Sequence, residues 1–213
     1  HKEVAQSFFS IYHDLGEDVP EKVRSTDYRD KIEKSYPFHP ELIDCLYERW
    51  GSFSKFQRTR GALRLLAEAL GQLYKDRFPS PVIQSSMMPL NTSSVRREFL
   101  KHIGNEFESV VAADIGNKGS RAPQIDKQMG SEYSKQNIAT RLATAVFLYS
   151  FSGGAKKGLN IRELRVAILN EGFPKTIVGD AVQKLEEELW YFHASSGNYS
   201  FKNQANLNRV IVD

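Results

Sequence analysis

The sequence predicts a mainly α-helical protein, in which a helical bundle is followed by a winged helix-turn-helix with a small β-hairpin. Apolar residues recur at helical spacing through most of the 213-residue chain. The last part changes to the order helix, helix, tight turn, helix and hairpin, which is typical of a winged helix-turn-helix. Hydrophobic residues make up 40% of the chain, which is enough for a packed core and excludes a disordered chain.

The predicted bundle covers residues 1–113. Pro37 and Pro40 force an extended entry into its third helix, and Pro40 suits the first turn of that helix. The strongest helical pattern is an apolar stripe within 58–77. Its members are Ala62, Leu65, Leu66, Ala69, Leu70 and Leu73. Helices are expected at 2–15, 20–34, 40–50, 58–77 and 95–111, and residues 82–83 are expected to be extended.

Residues 114–132 interrupt the apolar pattern and are predicted to be a linker, because Gly116, Gly119, Pro123 and Gly130 lie among charged residues. The winged helix-turn-helix is predicted to cover 133–213. Its helices are expected at 134–151, 160–169 and 175–188, and its hairpin at 190–193 and 199–201. Asn160 and Glu163 form a capping box at the start of the second of these helices.

Composition excludes several classes of protein. The net charge is +3, from 29 Lys and Arg against 26 Asp and Glu, which gives little support for a strongly basic nucleic-acid binder. No stretch reaches the ~18 apolar residues of a membrane-spanning helix. The one cysteine, Cys45, cannot form an internal disulfide, so a reducing, cytoplasmic setting is expected.

Motifs of the common enzymes are missing, and no catalytic or metal-binding residue is predicted. The five histidines are scattered, and His39 is expected to cap or pack a helix. Cys45 lies beside an apolar helical stripe and is expected to be buried. Residues 153–158 resemble a phosphate loop superficially, but no Gly-Lys-Ser/Thr closes it, so a flexible basic turn is expected.

A basic cluster at the start of the 58–77 helix is the main candidate site. It comprises Lys55, Arg58, Arg60 and Arg64. Arg60 and Arg64 fall on the face opposite the apolar stripe, and Arg60 stands at the helix start, where a guanidinium could clamp a phosphate. The alternative is a solvated basic face, with Arg64 near Glu68.

The predicted recognition helix, 175–188, argues against DNA binding. This helix contains two lysines, Lys175 and Lys184, and four acidic residues, so its net charge is −2. Binding to DNA phosphates requires positive charge. Lys175, Lys202 and Arg209 are the remaining candidates for an interaction surface. These charges favour contact with a protein partner.

Six runs of sequence resemble a family of large predicted bacterial and archaeal AAA+ ATPases that is catalogued as DUF499, a domain of unknown function. These runs lie at 36–42, 57–66, 103–106, 147–153, 187–191 and 202–208. The resemblance implies an ATPase core elsewhere in the same polypeptide, with this chain as the helical lid and winged-helix region. It also implies that ATP and Mg²⁺ are cofactors of the parent protein and that none belongs to this fragment.

The same resemblance implies a role for one arginine. In AAA+ ATPases an arginine at the start of a lid helix, called sensor 2, reaches the γ-phosphate of ATP. The pattern Arg-x-Ala-Leu-x-Leu-Leu places this role on Arg60, with Arg58 as the second candidate. Family members are often found beside DNA methyltransferases, which suggests defence against foreign DNA. Oligomers of the parent and a protein or DNA partner are compatible with this prediction, whereas a membrane partner is not expected.

Two other functions remain open at this stage. One is a stand-alone winged-helix DNA-binding regulator, and the other is a structural interaction module without a ligand. The sequence alone does not choose among the three, but the resemblance favours the ATPase lid.

Overall fold

A computed structural model of the chain describes residues 1–77, 80–154, 156–171, 173 and 176–206. In this part the protein is mainly helical, as the sequence predicts, and the predicted hairpin is part of a small three-stranded antiparallel sheet towards the C-terminal end. None of the described helices is long and apolar enough to cross a membrane.

The helices differ in length, and several are joined by short 3₁₀ or π-helical turns. In chain order they are α1 (Lys2–Leu15), α2 (Thr26–Ser35), α3 (Pro40–Asp44), α4 (Arg58–Lys75), α5 (Ser93–Ile103), α6 (Glu108–Val110), α7 (Arg121–Gln128), α8 (Ser131–Gln136), α9 (Ile138–Tyr149), α10 (Ile161–Ile168) and α11 (Ile177–Glu188). The strands are β1 (Leu159–Asn160), β2 (Phe192–Ser195) and β3 (Asn198–Phe201).

His39 caps α3, which confirms its predicted structural role. Its Nδ1 accepts a hydrogen bond from the backbone N–H of Glu41 at 3.4 Å. After α3 the chain continues as a π-helical turn, Cys45–Arg49, in which Cys45 is buried as predicted. The extended segment at 82–83 meets Phe38 in an isolated β-bridge through Ile83.

Helix α9 lies at the centre of the molecule, and nearly all of its residues are buried. It packs against α7, α10, α11 and β3, and against the short turn Ser85–Met87. One hydrophobic core therefore runs from Ala5 on α1 to Phe201 on β3.

The predicted linker is wrong in one respect, because it contains helix α7. Ala122 and Ile125 of α7 are completely buried in the core. Pro123 indicated a loop, but it lies in the first turn of α7, where its missing N–H costs no helical hydrogen bond. The segment therefore contributes to the core, while the domain boundaries at 113 and 133 stay a prediction.

Two predicted long helices are each divided. Asn137 adopts a left-handed conformation, with φ of 51°, and separates α8 from α9. Asparagine is among the residues that tolerate this conformation best. Gly104, with φ of 108°, similarly ends α5 before α6 begins. Both breaks depend on backbone conformations that an apolar pattern does not reveal.

The C-terminal sheet has the strand order β1-β3-β2. The predicted hairpin is confirmed, with Phe192 opposite Phe201 in the register of β2 and β3. Strand β1 is an addition, and it pairs Leu159 with Tyr199. Gly158 precedes β1 with φ of 78°, and a Cβ there would lie 2.1 Å from the carbonyl oxygen of Tyr199. The close approach of these strands therefore requires glycine at this position.

Candidate functional site

Helix α4 begins abruptly after a left-handed residue, Gln57, with φ of 52°. No side chain caps the helix, and the backbone N–H of Arg60 bonds to the carbonyl oxygen of Gln57 at 3.1 Å. A Cβ on Gly61 would lie 1.9 Å from the carbonyl oxygen of Phe56, so the chain can turn this tightly only with glycine there. Arg60 is thereby fixed in the first turn of α4.

The side chain of Arg60 is exposed. Within the described residues no acidic side chain lies at ion-pair distance from it. Arg58 starts the same helix, but its side chain and that of Lys55 lie outside the described part of the structure. The predicted apolar stripe of α4 is buried through Ala62, Leu65, Leu66, Ala69 and Leu73.

A second apolar row flanks the buried stripe of α4. We call it the outer row, and it consists of Leu63, Ala67, Leu70 and Tyr74. Leu63 is 63% exposed and Tyr74 is 87% exposed, whereas Leu70 is half-buried. Arg60 lies one turn before Leu63, at the start of this row. The predicted buried stripe included Leu70 and missed the other three members of the outer row, although the spacing of i, i+4, i+7 and i+11 is a readable signal.

Arg64 does not have the predicted partner. The prediction placed it near Glu68, but its Nε lies 3.3 Å from the Glu98 Oε2 of α5. Glu98 is buried and is also bound by the Lys101 Nζ at 2.7 Å. Arg64 therefore joins two helices and is not part of a purely solvated face.

A cleft of about 420 Å³ lies between the π-helical turn and residues 152–158. At its wall, burial raises the pKa of Glu41, although the carboxylate accepts hydrogen bonds from Tyr149 Oη and from Ser85 N at 3.0 Å. Arg49 stacks on the Tyr149 ring and donates to the Tyr149 carbonyl oxygen at 2.8 Å. These partners join the first half of the chain to the end of α9.

Residues 153–158, which superficially resemble a phosphate loop, lie at the edge of the same cleft. The N–H of Gly153 donates to Ser52 Oγ at 2.7 Å, and that of Gly154 donates to Ser152 Oγ at 3.0 Å. Lys156 is paired with Glu163. Two backbone amides and one of the two lysines of this turn, Lys156, are therefore already engaged within the protein. In the described residues, no group of three or more His, Cys, Asp or Glu side chains could hold a metal ion.

The family model of the DUF499 second domain matches residues 16–187. The chain belongs to the DUF499 family. The match includes α4 with Arg60 and ends within α11, before the hairpin. The comparisons with curated proteins and with solved structures returned no match.

The remaining candidate residues lie far along the chain from α4, and Lys202 and Arg209 lie beyond the residues that the DUF499 model matches. Lys202 directly follows β3 and is exposed, whereas Lys175 and Arg209 lie outside the described residues. The described part of the structure contains no hydrogen bond or ion pair that joins Lys202 to Arg60. Arg60 therefore lies on α4 next to the outer row, whereas Lys202 lies after β3, in a different part of the fold.

Helix α11 of the DUF499 domain is acidic. It carries one lysine, Lys184, and four acidic side chains. The Nζ of Lys184 lies 3.0 Å from the Glu187 Oε2. The hydrogen bond with Glu187 raises the pKa of Lys184. The single described cation of α11 is therefore already paired with an acid.

Proposed function

We propose that this chain is the lid and winged-helix region of an AAA+-type ATPase, and that α4 docks on the ATPase core with Arg60 directed at the nucleotide. The observation that carries the proposal is the placement of Arg60 at the head of the exposed outer row. A solvent-facing helix is ordinarily polar on the side turned away from its own core. The apolar outer row is therefore explained if another surface covers it.

The family description supports this arrangement. It names a second domain, which fits a chain that works beside another domain of the same polypeptide. The sequence holds no phosphate loop of the form G-x-x-x-x-G-K-[ST], so ATP hydrolysis requires groups that this chain does not supply. ATP and Mg²⁺ would be held by the core, and the contribution of this chain would be the guanidinium of Arg60.

The chemistry of such a contact favours arginine. A guanidinium presents a rigid fork of N–H donors that matches phosphate oxygens, and it stays charged at every physiological pH. When it lies against the γ-phosphate, it stabilises negative charge that develops during transfer. Arg60 meets the requirement on this side of the contact, since it is exposed and has no acidic partner among the described residues.

The test is steady-state ATPase kinetics on the full-length parent protein with Arg60→Ala and Arg60→Lys. We expect Arg60→Ala to lower kcat by about 10²-fold or more, as for other preorganised donors. Arg60→Lys keeps the charge but loses the fork, so we expect partial rescue. Thermal melts should be nearly unchanged, because exposed substitutions typically alter stability by within about 0.5 kcal/mol.

Arg162→Ala is the matched control, since Arg162 is an exposed arginine on another helix, α10. Arg64→Ala is not a suitable control, because Arg64 is bound to Glu98. Near-wild-type turnover in both Arg60→Ala and Arg162→Ala would contradict the proposal.

The C-terminal part is proposed to act as a winged helix that contacts protein. The order α9, β1, α10, α11, β2, β3 supports a winged helix, and the acidity of α11 favours a protein partner over DNA. Assembly of the parent and its role in defence belong to the same proposal. A gel-shift titration at two salt concentrations is the test, and tight, strongly salt-dependent duplex binding would favour the DNA-binding regulator instead.

A further inference from the structure

A second cavity, of about 340 Å³, lies between the segment that follows the turn Ser85–Met87, the loop that follows Ile115 and the start of α9. Met87, Met88, Leu73 and Ile115 give it apolar walls. Its volume is within the range of about 300–1,000 Å³ that is usual for small-molecule sites. None of the candidate residues considered above lines this cavity.

Arg141 of α9 lines the cavity and is only 6% exposed. Its guanidinium lies over the ring of Phe173, at 5.1 Å from the ring centroid. Among the described residues it makes three hydrogen bonds, which all come from Nη2 and all go to neutral acceptors. These are Gln84 Oε1 at 3.2 Å, Ser86 Oγ at 3.4 Å and the Ile168 carbonyl oxygen at 2.9 Å. Its Nε is buried and has no hydrogen-bond partner in the part of the chain that the structure describes.

No carboxylate of the described residues forms an ion pair with Arg141. Asp126 is the nearby acid, but both of its oxygens are used at the start of α9. They accept hydrogen bonds from Ala139 N at 2.7 Å, from Thr140 N at 3.1 Å and from Thr140 Oγ1 at 2.6 Å. Burial lowers the pKa of Arg141 to about 10, so the guanidinium remains cationic at neutral pH. Proteins rarely bury a charge that is not directly paired, because desolvation is costly.

The charges that line the cavity indicate what would bind there. Arg141 and Lys118 are positive and Asp76 is negative, so the residues that line the cavity carry a net charge of +1. Asp126 interacts with Arg141 but does not line the cavity. A monoanion balances this charge, whereas a phosphate dianion would introduce a new excess. A guanidinium also matches a carboxylate in geometry, and the apolar walls suit an apolar body attached to it.

We propose that this cavity binds a small organic monocarboxylate, whose carboxylate pairs with Arg141 and whose apolar body packs against Met87 and Met88. The site would be distinct from Arg60 and the outer row of α4. Its occupation would give the buried Arg141 a directly paired anion, which the described residues do not supply.

The three methionines make a direct test possible. Met87 and Met88 line the cavity, whereas Met129 does not, so methyl-labelled methionine reports binding with an internal control. Benzoate is titrated into the labelled chain and followed by ¹H–¹³C NMR. We expect saturable shifts of Met87 and Met88 with little change at Met129. Benzamide, which is nearly isosteric and uncharged, should bind at least about tenfold more weakly, because the charge-assisted hydrogen bond is lost.

The variant Arg141→Met removes the charge at similar length, and Arg97→Met on the exposed side of α5 is its control. We expect benzoate binding to be lost in Arg141→Met and retained in Arg97→Met. Should Arg141→Met not fold, Lys118→Met is expected to weaken benzoate binding several-fold, and the comparison of benzoate with benzamide uses the unmodified chain.

Three outcomes would overturn the proposal. The first is the absence of saturable shifts at Met87 and Met88. The second is equal affinity for benzoate and benzamide, which would leave an apolar cavity without anion recognition. The third is tighter binding of inorganic phosphate than of benzoate, which would assign the cavity to a different anion.

Discussion

Arg64 of α4 and Glu98 of α5 form an ion pair across two helices, with 3.3 Å between Nε and Oε2. The two partners differ in environment, since the Arg64 side chain is 62% exposed and that of Glu98 is 7% exposed. Lys101 binds the same carboxylate. His102 is close to it, but burial lowers the pKa of His102, so it does not replace a cation at neutral pH.

This arrangement predicts that Arg64→Ala and Lys101→Ala are individually mild and jointly severe. Each single variant leaves one cation on Glu98 and should cost at most about 1 kcal/mol of unfolding free energy. The double variant leaves a buried carboxylate without a cation, so its cost should exceed the sum of the single costs by about 1–3 kcal/mol. Urea unfolding of all four proteins measures this coupling, and strictly additive costs would contradict it.

The burial of His39 in its neutral form predicts that the free energy of unfolding depends on pH. Its Nδ1 accepts from the Glu41 N–H, so the proton lies on Nε2, which donates to Tyr12 Oη at 2.9 Å. Burial lowers the pKa of His39 from 6.5 to about 3. Between these two pH values the unfolded chain therefore binds more protons than the folded protein does. The free energy of unfolding is highest above pH 6.5 and decreases as the pH falls through this window, by at most about 1.4 kcal/mol per pH unit.

The measurement is urea unfolding of wild type and His39→Asn at pH values from 7 down to 4. Asparagine is a good N-cap and does not protonate in this range. We expect the wild type to be more stable at pH 7 and its advantage to shrink as the pH falls. An advantage that stays constant across the series would show that His39 is not buried in its neutral form.

Leu63 and Leu65 of α4 form a matched pair, because they share residue type and helix but differ in exposure, at 63% and 1%. Leu65→Ala should cost about 2–5 kcal/mol of unfolding free energy, because it leaves a cavity in the core. Leu63→Ala should cost within about 0.5 kcal/mol in this chain. In the full-length parent, Leu63→Ala should instead weaken docking and lower ATPase activity. Unchanged activity there would remove the outer row from the proposed interface.

The hydrogen bonds of Asp114 predict that its substitution destabilises the start of the hairpin locally. Its buried carboxylate accepts hydrogen bonds from the backbone N–H groups of Trp190 at 3.1 Å and Tyr191 at 2.8 Å. Asp114→Asn replaces one acceptor with a donor, which should cost about 1–3 kcal/mol. Amide hydrogen exchange should accelerate at Trp190 and Tyr191 more than at Leu189, whose N–H bonds to the Leu185 carbonyl oxygen. Equal acceleration at all three amides would indicate general destabilisation instead.

Features that depend on near neighbours in sequence were predictable. The apolar period located α4, the Asn160–Glu163 capping box located the start of α10, and the residues around His39 indicated a cap. The alternation and turn residues near the C-terminus located the hairpin of β2 and β3. Six short runs of sequence were also sufficient to indicate the DUF499 family, which the match to residues 16–187 bears out.

Features that depend on distant residues were decided by the tertiary structure. Glycine and proline made the segment around α7 look like a linker, but packing beneath α9 buries Ile125 and gives Asp126 the N–H groups of α9. The partner of Arg64 lies 34 positions away, and the cavity at Arg141 is assembled from five separate stretches of the chain between Leu73 and Thr144. The sequence alone determined most of the helices and the β2–β3 hairpin, because helix periodicity, caps and turns act over a few residues. Only the packed chain decided which charges meet and which cavities remain, because those contacts depend on the three-dimensional arrangement of all the segments.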